Sequence, residues 1–250
     1  MKLTIGLPSF NNYVEVWFTV QALRLYQDLT DTEVLILDNA GDDNLKRFVE
    51  AWGHSQVRYV RYTESQGPFA AKGRIFVEAL GEWVMVIDSH VMLAPGAVKQ
   101  FRDWVSANGE CMDLLQGPML YDDLKVTADS MEDEWRGHMW GIWHTNTPAI
   151  DAEPYEIQMH GMGLFACRRD AWLGFNPAFR GFGGEEGYIH EKYRKAGRKT
   201  MLLPFLRWNH YFRPTAPPFA VTLEDRIHNY QVGLSELGID QARMKQHFNI

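Results

Sequence analysis

No stretch of this 250-residue chain approaches the roughly 20 consecutive apolar positions that a membrane-spanning helix needs. The opening MKLTIGLPSF lacks the layout of a signal peptide. The expectation is a soluble, cytoplasmic protein without membrane insertion. Cysteine is scarce: Cys111 and Cys167 are the two present, and neither belongs to a CxxC or other metal-type spacing. Buried free thiols are therefore expected. Positive charge is not in excess, with 25 Lys and Arg against 32 Asp and Glu and a net charge of −7. That removes any general attraction to nucleic acid or anionic membrane, while leaving room for a local basic groove. No repeat or low-complexity tract is present, which excludes solenoids and arrays.

What is present is an ordinary globular composition, 46% hydrophobic and 23% charged, long enough for one substantial core or two lobes sharing an interface. Lys2–Leu7, Glu33–Leu37, Val57–Tyr62 and Trp83–Ile87 read as strands rich in β-branched and aromatic residues. Val14–Asp28, Asn44–Trp52 and Phe69–Leu80 carry apolar residues at helical spacing. This alternation predicts an α/β fold with a mostly parallel central sheet flanked by helices. The second half is less regular, with turn-rich segments. The prolines around Phe205–Phe219 predict a loop, and Val221–Phe248 reads as helical with a break near Gly238.

Open parallel sheets bind ligands beyond the carboxyl ends of their strands. The first predicted strand runs into Pro8, Ser9, Phe10, Asn11 and Asn12, the second into Asp38 and Asn39, the fourth into Asp88, Ser89 and His90. These polar clusters share one edge. Asp88 and His90 are two residues apart at a strand end, so an ideal strand points both side chains to one side. A carboxylate and an imidazole converging there suit a divalent cation such as Mn²⁺; the alternative is a strand-end turn with a solvated Asp and a packed His.

Further motifs follow in a fixed order: Gly161-Met162-Gly163-Leu164-Phe165, then Phe182-Gly183-Gly184-Glu185-Glu186, then His210-Tyr211-Phe212-Arg213. With Asp88-Ser89-His90 and the upstream Gly67–Arg74 segment, this order resembles the GT-A fold glycosyltransferases. The resemblance is to the family 2-like group that includes the polypeptide N-acetylgalactosaminyltransferases, and it covers roughly residues 3–215. It departs at Met162 and Glu186, where that group has Gly and Asn.

The resemblance implies a GT-A catalytic domain over residues 1–219, with a nucleotide-binding half at 1–92, a sugar and acceptor half with a lid at 93–219, and a helical extension at 220–250. It implies Asp88, His90 and His210 as metal ligands, with Mn²⁺ the better guess than Mg²⁺ because two imidazoles soften the set. Pro8, Ser9 and Asn11 would line the base and ribose pocket, and Asp38 would accept a hydrogen bond from the base, which favours a UDP-sugar. Gly67, Ser89 and Gly163 would sit against the nucleotide-sugar. Arg74 would contact the nucleotide or diphosphate, or is a solvated helix arginine.

Glu185 would meet donor-sugar or acceptor hydroxyls, or act as base; the alternative is that Glu185 or Glu186 merely caps the helix over Gly187–Ala196. Arg213 would reach the diphosphate from a lid at Arg213–Phe219. Trp140, Trp143 and Trp208 are candidate aromatic platforms, with Trp208 assigned to the donor site. His138, His144 and His160 match no compact ligand spacing and read as structural; Asp122, Asp123, Glu132, Asp133 and Glu134 read as surface charge.

The leading reading is a metal-dependent transferase moving a sugar from a nucleoside diphosphate to a hydroxyl, with a lean to retention. The acceptor is left open among a glycan, a small molecule, a protein side chain and a modified nucleic-acid base. Two alternatives stand beside it: a sugar-phosphate nucleotidyltransferase, for which a Gly-rich basic phosphate loop is missing at Leu7–Asn11, and a non-catalytic nucleotide-sugar binding protein.

Overall fold

The computed structural model describes residues 2–65, 67–212 and 219–250. The first half builds β1 (Leu3–Ser9), α1 (Tyr13–Tyr26), β2 (Thr32–Asp38), α2 (Asp43–Trp52), β3 (Val57–Arg61), α3 (Pro68–Glu78) and β4 (Trp83–Ile87). Then follow β5 (Val91–Leu93), α4 (Ala97–Ala107), β6 (Leu114–Gln116), β7 (Met119–Leu120), β8 (Thr127–Arg136), β9 (Met139–Thr145), β10 (Tyr155–Glu156) and β11 (Leu164–Arg168). The chain continues through α5 (Glu185–Lys195), β12 (Thr200–Leu202), β13 (Trp208–His210), α6 (Leu223–Glu236) and α7 (Ala242–Phe248).

Eight strands form the central sheet in the order β10-β12-β6-β11-β4-β1-β2-β3. β1 is parallel to both β2 and β4, and β2 is parallel to β3. β11 enters antiparallel between β4 and β6, and β12 runs parallel to β6. Every residue of β2 and β4 is buried, as expected of strands covered on both faces.

Alternate residues supply two apolar layers. Val34, Ile36, Met85 and Ile87 pack with Val16 and Val20 of α1 and Phe101 of α4. Leu35, Leu37, Val84 and Val86 pack with Ile75 and Phe76 of α3 and with Tyr188, Ile189 and Tyr193 of α5. A third cluster, Met131, Trp140, Met159, Tyr230, Leu234 and Met244, fastens α6 and α7 to the β8–β9 hairpin.

The second half is more regular than its composition suggests. A five-stranded sheet, β5-β13-β7-β8-β9, stands beside the central one. β13 lies inside Phe205–Phe219, where prolines predict a loop. Those prolines flank the strand rather than interrupt it, so its three residues pair antiparallel with β5 and parallel with β7. The helix break expected near Gly238 separates α6 from α7. Among the described residues, no helix is long and apolar enough to cross a membrane. Both cysteines are free; Cys167 is buried and Cys111 half-buried.

Candidate active site

β4 and β5 are adjacent in sequence but belong to different sheets, so the chain turns at Asp88, Ser89 and His90. β13 comes back against β5 with His210 opposite Val91, and the Tyr211 N–H donates to the His90 carbonyl at 3.1 Å. This pairing faces the His90 and His210 Nε2 atoms at 3.1 Å. The His210 Nε2 is 3.9 Å from Asp88 Oδ2, and one ligand atom from each of the three residues lies within 4.8 Å of the others. Two imidazole nitrogens that face each other so closely share one proton or one cation. With a carboxylate oxygen beside them, they fit a borderline divalent ion.

The other Asp88 oxygen is held by a residue that the sequence did not single out. Lys72, on the inner face of α3, sits 3.1 Å from Asp88 Oδ1 and donates to the Met162 carbonyl at 2.8 Å. Its side chain is 6% exposed and that of Asp88 23%. Burial disfavours the ammonium, but the Asp88 and Glu185 carboxylates more than offset it and hold Lys72 above the ordinary lysine range. Burial pushes Asp88 up; Lys72, with His210 and His90, more than offsets this and leaves its carboxyl well below the usual carboxylate range. Both groups are thus charged at neutral pH.

These residues stand at one end of a cavity of about 670 Å³. Its walls include Pro8, Ser9, Asn12, Asn39, Gly67, Lys72, Asp88, Ser89, His90 and His210 on the sheet edge, facing Phe182, Phe219 and Asp225. Asn12 accepts from the Ser9 hydroxyl at 2.6 Å and donates to the Ser89 hydroxyl, binding the first and fourth strand ends together. Asn39 accepts from the Gly67 N–H at 2.8 Å and donates to the Tyr62 and Ser65 carbonyls, fixing the approach to α3.

Of the residues expected to hold a nucleotide-sugar, Pro8, Ser9, Gly67, Asp88 and Ser89 line the cavity, and five others do not. Asn12 takes the wall position in place of Asn11, which has φ 51°. Asp38 is fully buried: Oδ1 accepts from the Ala40 and Gly41 N–H groups and Oδ2 from the Tyr59 hydroxyl, so its lone pairs serve the turn. Arg74 turns away from the cavity to pair with Glu78 at 2.5 Å and stack over Tyr62.

Gly163 lies behind the metal-type triad, where an added Cβ would be 3.2 Å from His210 Cδ2. Trp208 is 1% exposed and donates from Nε1 to the Gly117 carbonyl at 2.6 Å, a core residue rather than a platform. Trp140 is likewise buried. Arg213 and most of the expected lid lie outside the described residues.

Glu185 opens α5 and is 3% exposed. Burial first, and the neighbouring Glu186 second, push its carboxyl up to about 8. Its Oε2 has no hydrogen-bond partner among the described residues. His160 and His190, both fully buried, form a separate structural unit in which the His160 N–H donates to His190 Nε2 at 3.1 Å. His144 is bonded to Asp129 at 3.0 Å. Both arrangements keep these histidines out of the cavity.

The family model described as glycosyl transferase family 2 matches residues 4–171, well over half of the sequence. The chain belongs to glycosyl transferase family 2. Among curated relatives, this family-2 chain is 24% identical over 208 residues to N-acetylgalactosaminyltransferase 7 of Drosophila melanogaster, an alignment covering 74% of this chain and 34% of the relative. Among solved structures, GalNAc-T7 with UDP, GalNAc and Mn²⁺ superposes with a TM-score of 0.73 at 18% identity, over 95% of this chain and 50% of that one. S. aureus TarS 1–349 in complex with UDP-GlcNAc gives a TM-score of 0.68 at 15% identity, over 98% and 69%. The family-2 chain therefore has the GT-A fold of these glycosyltransferases, and it spans about a third of the curated relative's length.

Proposed function

We propose that the chain is a Mn²⁺-dependent glycosyltransferase that moves a sugar from a UDP-sugar to a hydroxyl acceptor with retention. The observation that carries this reading is the convergence of Asp88, His90 and His210 at the cavity end of the parallel strands. The fold is one whose solved members include complexes with UDP, GalNAc and Mn²⁺ and with UDP-GlcNAc. Family membership favours it over a nucleotidyltransferase. Two free thiols support a reducing, cytoplasmic setting.

In this reading Asp88, His90 and His210 hold the ion, which when bound neutralises negative charge growing on the leaving diphosphate. Lys72 adds a fixed positive charge of the chain's own beside Asp88. Pro8, Ser9, Asn12 and Gly67 form the wall against which the nucleotide packs. Residues 1–92 and 93–219 supply the nucleotide and sugar sides respectively. Ala220, Val221 and Asp225, beyond that boundary, also line the cavity, so the working unit extends into α6. Burial favours the protonated form of Glu185, whose carboxyl is pushed up to about 8. Glu185 lies behind the residues that line the cavity, and in its protonated form it would reach a sugar hydroxyl as a hydrogen-bond donor, not as a base. The acceptor proton is left to the departing diphosphate, which suits retention.

Thermal shift with Mn²⁺ and a panel of nucleotide sugars, followed by UDP-release assays on the donors that stabilise the fold, tests the reading. At least one UDP-sugar is expected to raise the melting temperature only with Mn²⁺ and to be turned over. No stabilisation and no UDP release across the panel would overturn the assignment. The anomeric configuration of the product, read by NMR, decides retention.

A further inference from the structure

α6 belongs to the segment that reads as a C-terminal extension, yet one of its residues closes on the turn before Glu185. Asn229 is fully buried. Its Oδ1 accepts from the Arg180 N–H at 2.9 Å, and its Nδ2 donates to the carbonyls of Arg180 and Gly183, each at 2.8 Å. Both amide hydrogens are thereby used on one loop. The glycines of that loop let the helix approach. Gly181, Gly183 and Gly184 all have positive φ. A Cβ on them would lie 2.5 Å from an Asp225 carboxylate oxygen, 2.5 Å from Arg226 Nε and 3.1 Å from Asn229 Cβ. Arg180 reinforces the contact through an ion pair to Asp225 at 2.7 Å.

Glu185 follows directly on this turn, and its Oε2 has no hydrogen-bond partner among the described residues. The hydrogen bond that the carboxyl does make is to its own backbone N–H, so the turn that sets this N–H bears directly on where the carboxyl lies. We infer that Asn229 is a positioning residue: its amide clamps Arg180 and Gly183 and so sets where Glu185 stands relative to the cavity. The functional part of this inference rests on the sugar-transfer reading above; the clamp itself does not. Asn229 then acts on the site from within α6 without itself lining the cavity.

The test uses the full chain with Asn229→Ala and Asn229→Asp. The aspartate keeps the side-chain shape and the bond from the Arg180 N–H while losing both donors, so it reads the clamp even if the alanine variant fails to fold. Hydrogen exchange over residues 180–187 is expected to quicken by about tenfold or more, with protection of β1 and β4 unchanged. On a UDP-sugar that the parent turns over, kcat is expected to fall between about tenfold and about a hundredfold, with UDP affinity in Mn²⁺ within about twofold of the parent.

A purely structural role would lower the melting temperature without splitting kcat from nucleotide affinity. A folded variant with parental exchange over 180–187, or with faster exchange and parental kcat, overturns the inference. A parent that turns over no UDP-sugar overturns the transfer reading instead, while the exchange measurement still judges the clamp.

Discussion

Replacing Lys72 by Met tests the electrostatic core of the site. The ammonium is buried and pairs with Asp88 Oδ1 at 3.1 Å, so its removal leaves a carboxylate in a partly desolvated place with no fixed cation beside it. Breaking a buried pair in this way costs about 3–5 kcal/mol. Asp88 keeps 23% of its surface open to the cavity, which sets the electrostatic loss near the lower end, and the Met162 carbonyl loses a donor besides.

A total of about 3 kcal/mol in metal-free buffer at pH 7 is expected, equivalent to about 6–12 °C in a chain of this size. Mn²⁺ bound as proposed would supply the missing positive charge, so the gap between variant and parent should narrow when the ion is added, as binding to the folded state stabilises by mass action. Urea unfolding with chelator and then with Mn²⁺ makes the measurement. A gap below about 1 kcal/mol without metal would refute the pairing as a stabilising contact. A gap that Mn²⁺ leaves unchanged would refute the shared electrostatics of Lys72 and the ion.

His210→Ala removes one of the two facing imidazoles, and paramagnetic resonance of Mn²⁺ should show affinity down by more than about tenfold; parental affinity would exclude His210 as a ligand. Burial holds His160 down at about 4 and His190 at about 3, so from the ordinary histidine range down to those values the unfolded chain takes up protons that the folded one refuses. Stability should therefore fall with pH, by about 1.4 kcal/mol per unit for each histidine. His144, raised by its bond to Asp129, opposes this weakly because it is half exposed. Urea curves at pH 6 and pH 5 should differ by about 2–3 kcal/mol, and coincident curves would contradict it. Gly187→Ala places a methyl 2.2 Å from Trp140 Cε3, which should cost about 1–3 kcal/mol despite the better helix propensity of alanine; a raised melting temperature would show that Trp140 yields.

The strands and the polar residues that end them were legible because a parallel sheet covered on both faces writes continuous apolar runs, and Asp88 and His90 interrupt one of them. His210 became legible through motif order, not through local pattern, since its partner strand β5 is far away in sequence. Lys72 was missed for a geometric reason. A lysine on an amphipathic helix is normally solvated, and only the docking of α3 against the end of β4 turns it inward. Arg74, the residue that the sequence favoured, is two positions later and so about 200° around the helix, facing outward to Glu78. Asp38 looked available because its engagement by Ala40, Gly41 and Tyr59 depends on turn geometry. Asn229 carried no readable signal, because its partners are backbone groups.

The insertion of β11 between β4 and β6 has a consequence for how the protein comes into being. During synthesis, β1 to β4 leave the ribosome long before Leu164–Arg168 exists, so Val84, Met85, Val86 and Ile87 wait with one hydrogen-bonding edge bare. An apolar edge of this kind recruits strands from neighbouring chains. The nascent protein is thus most vulnerable to aggregation while residues 88–163 are being made. Fragments cut within that interval should need a chaperone to remain dispersed, whereas a chain that includes Leu164–Arg168 closes the edge with its own later strand.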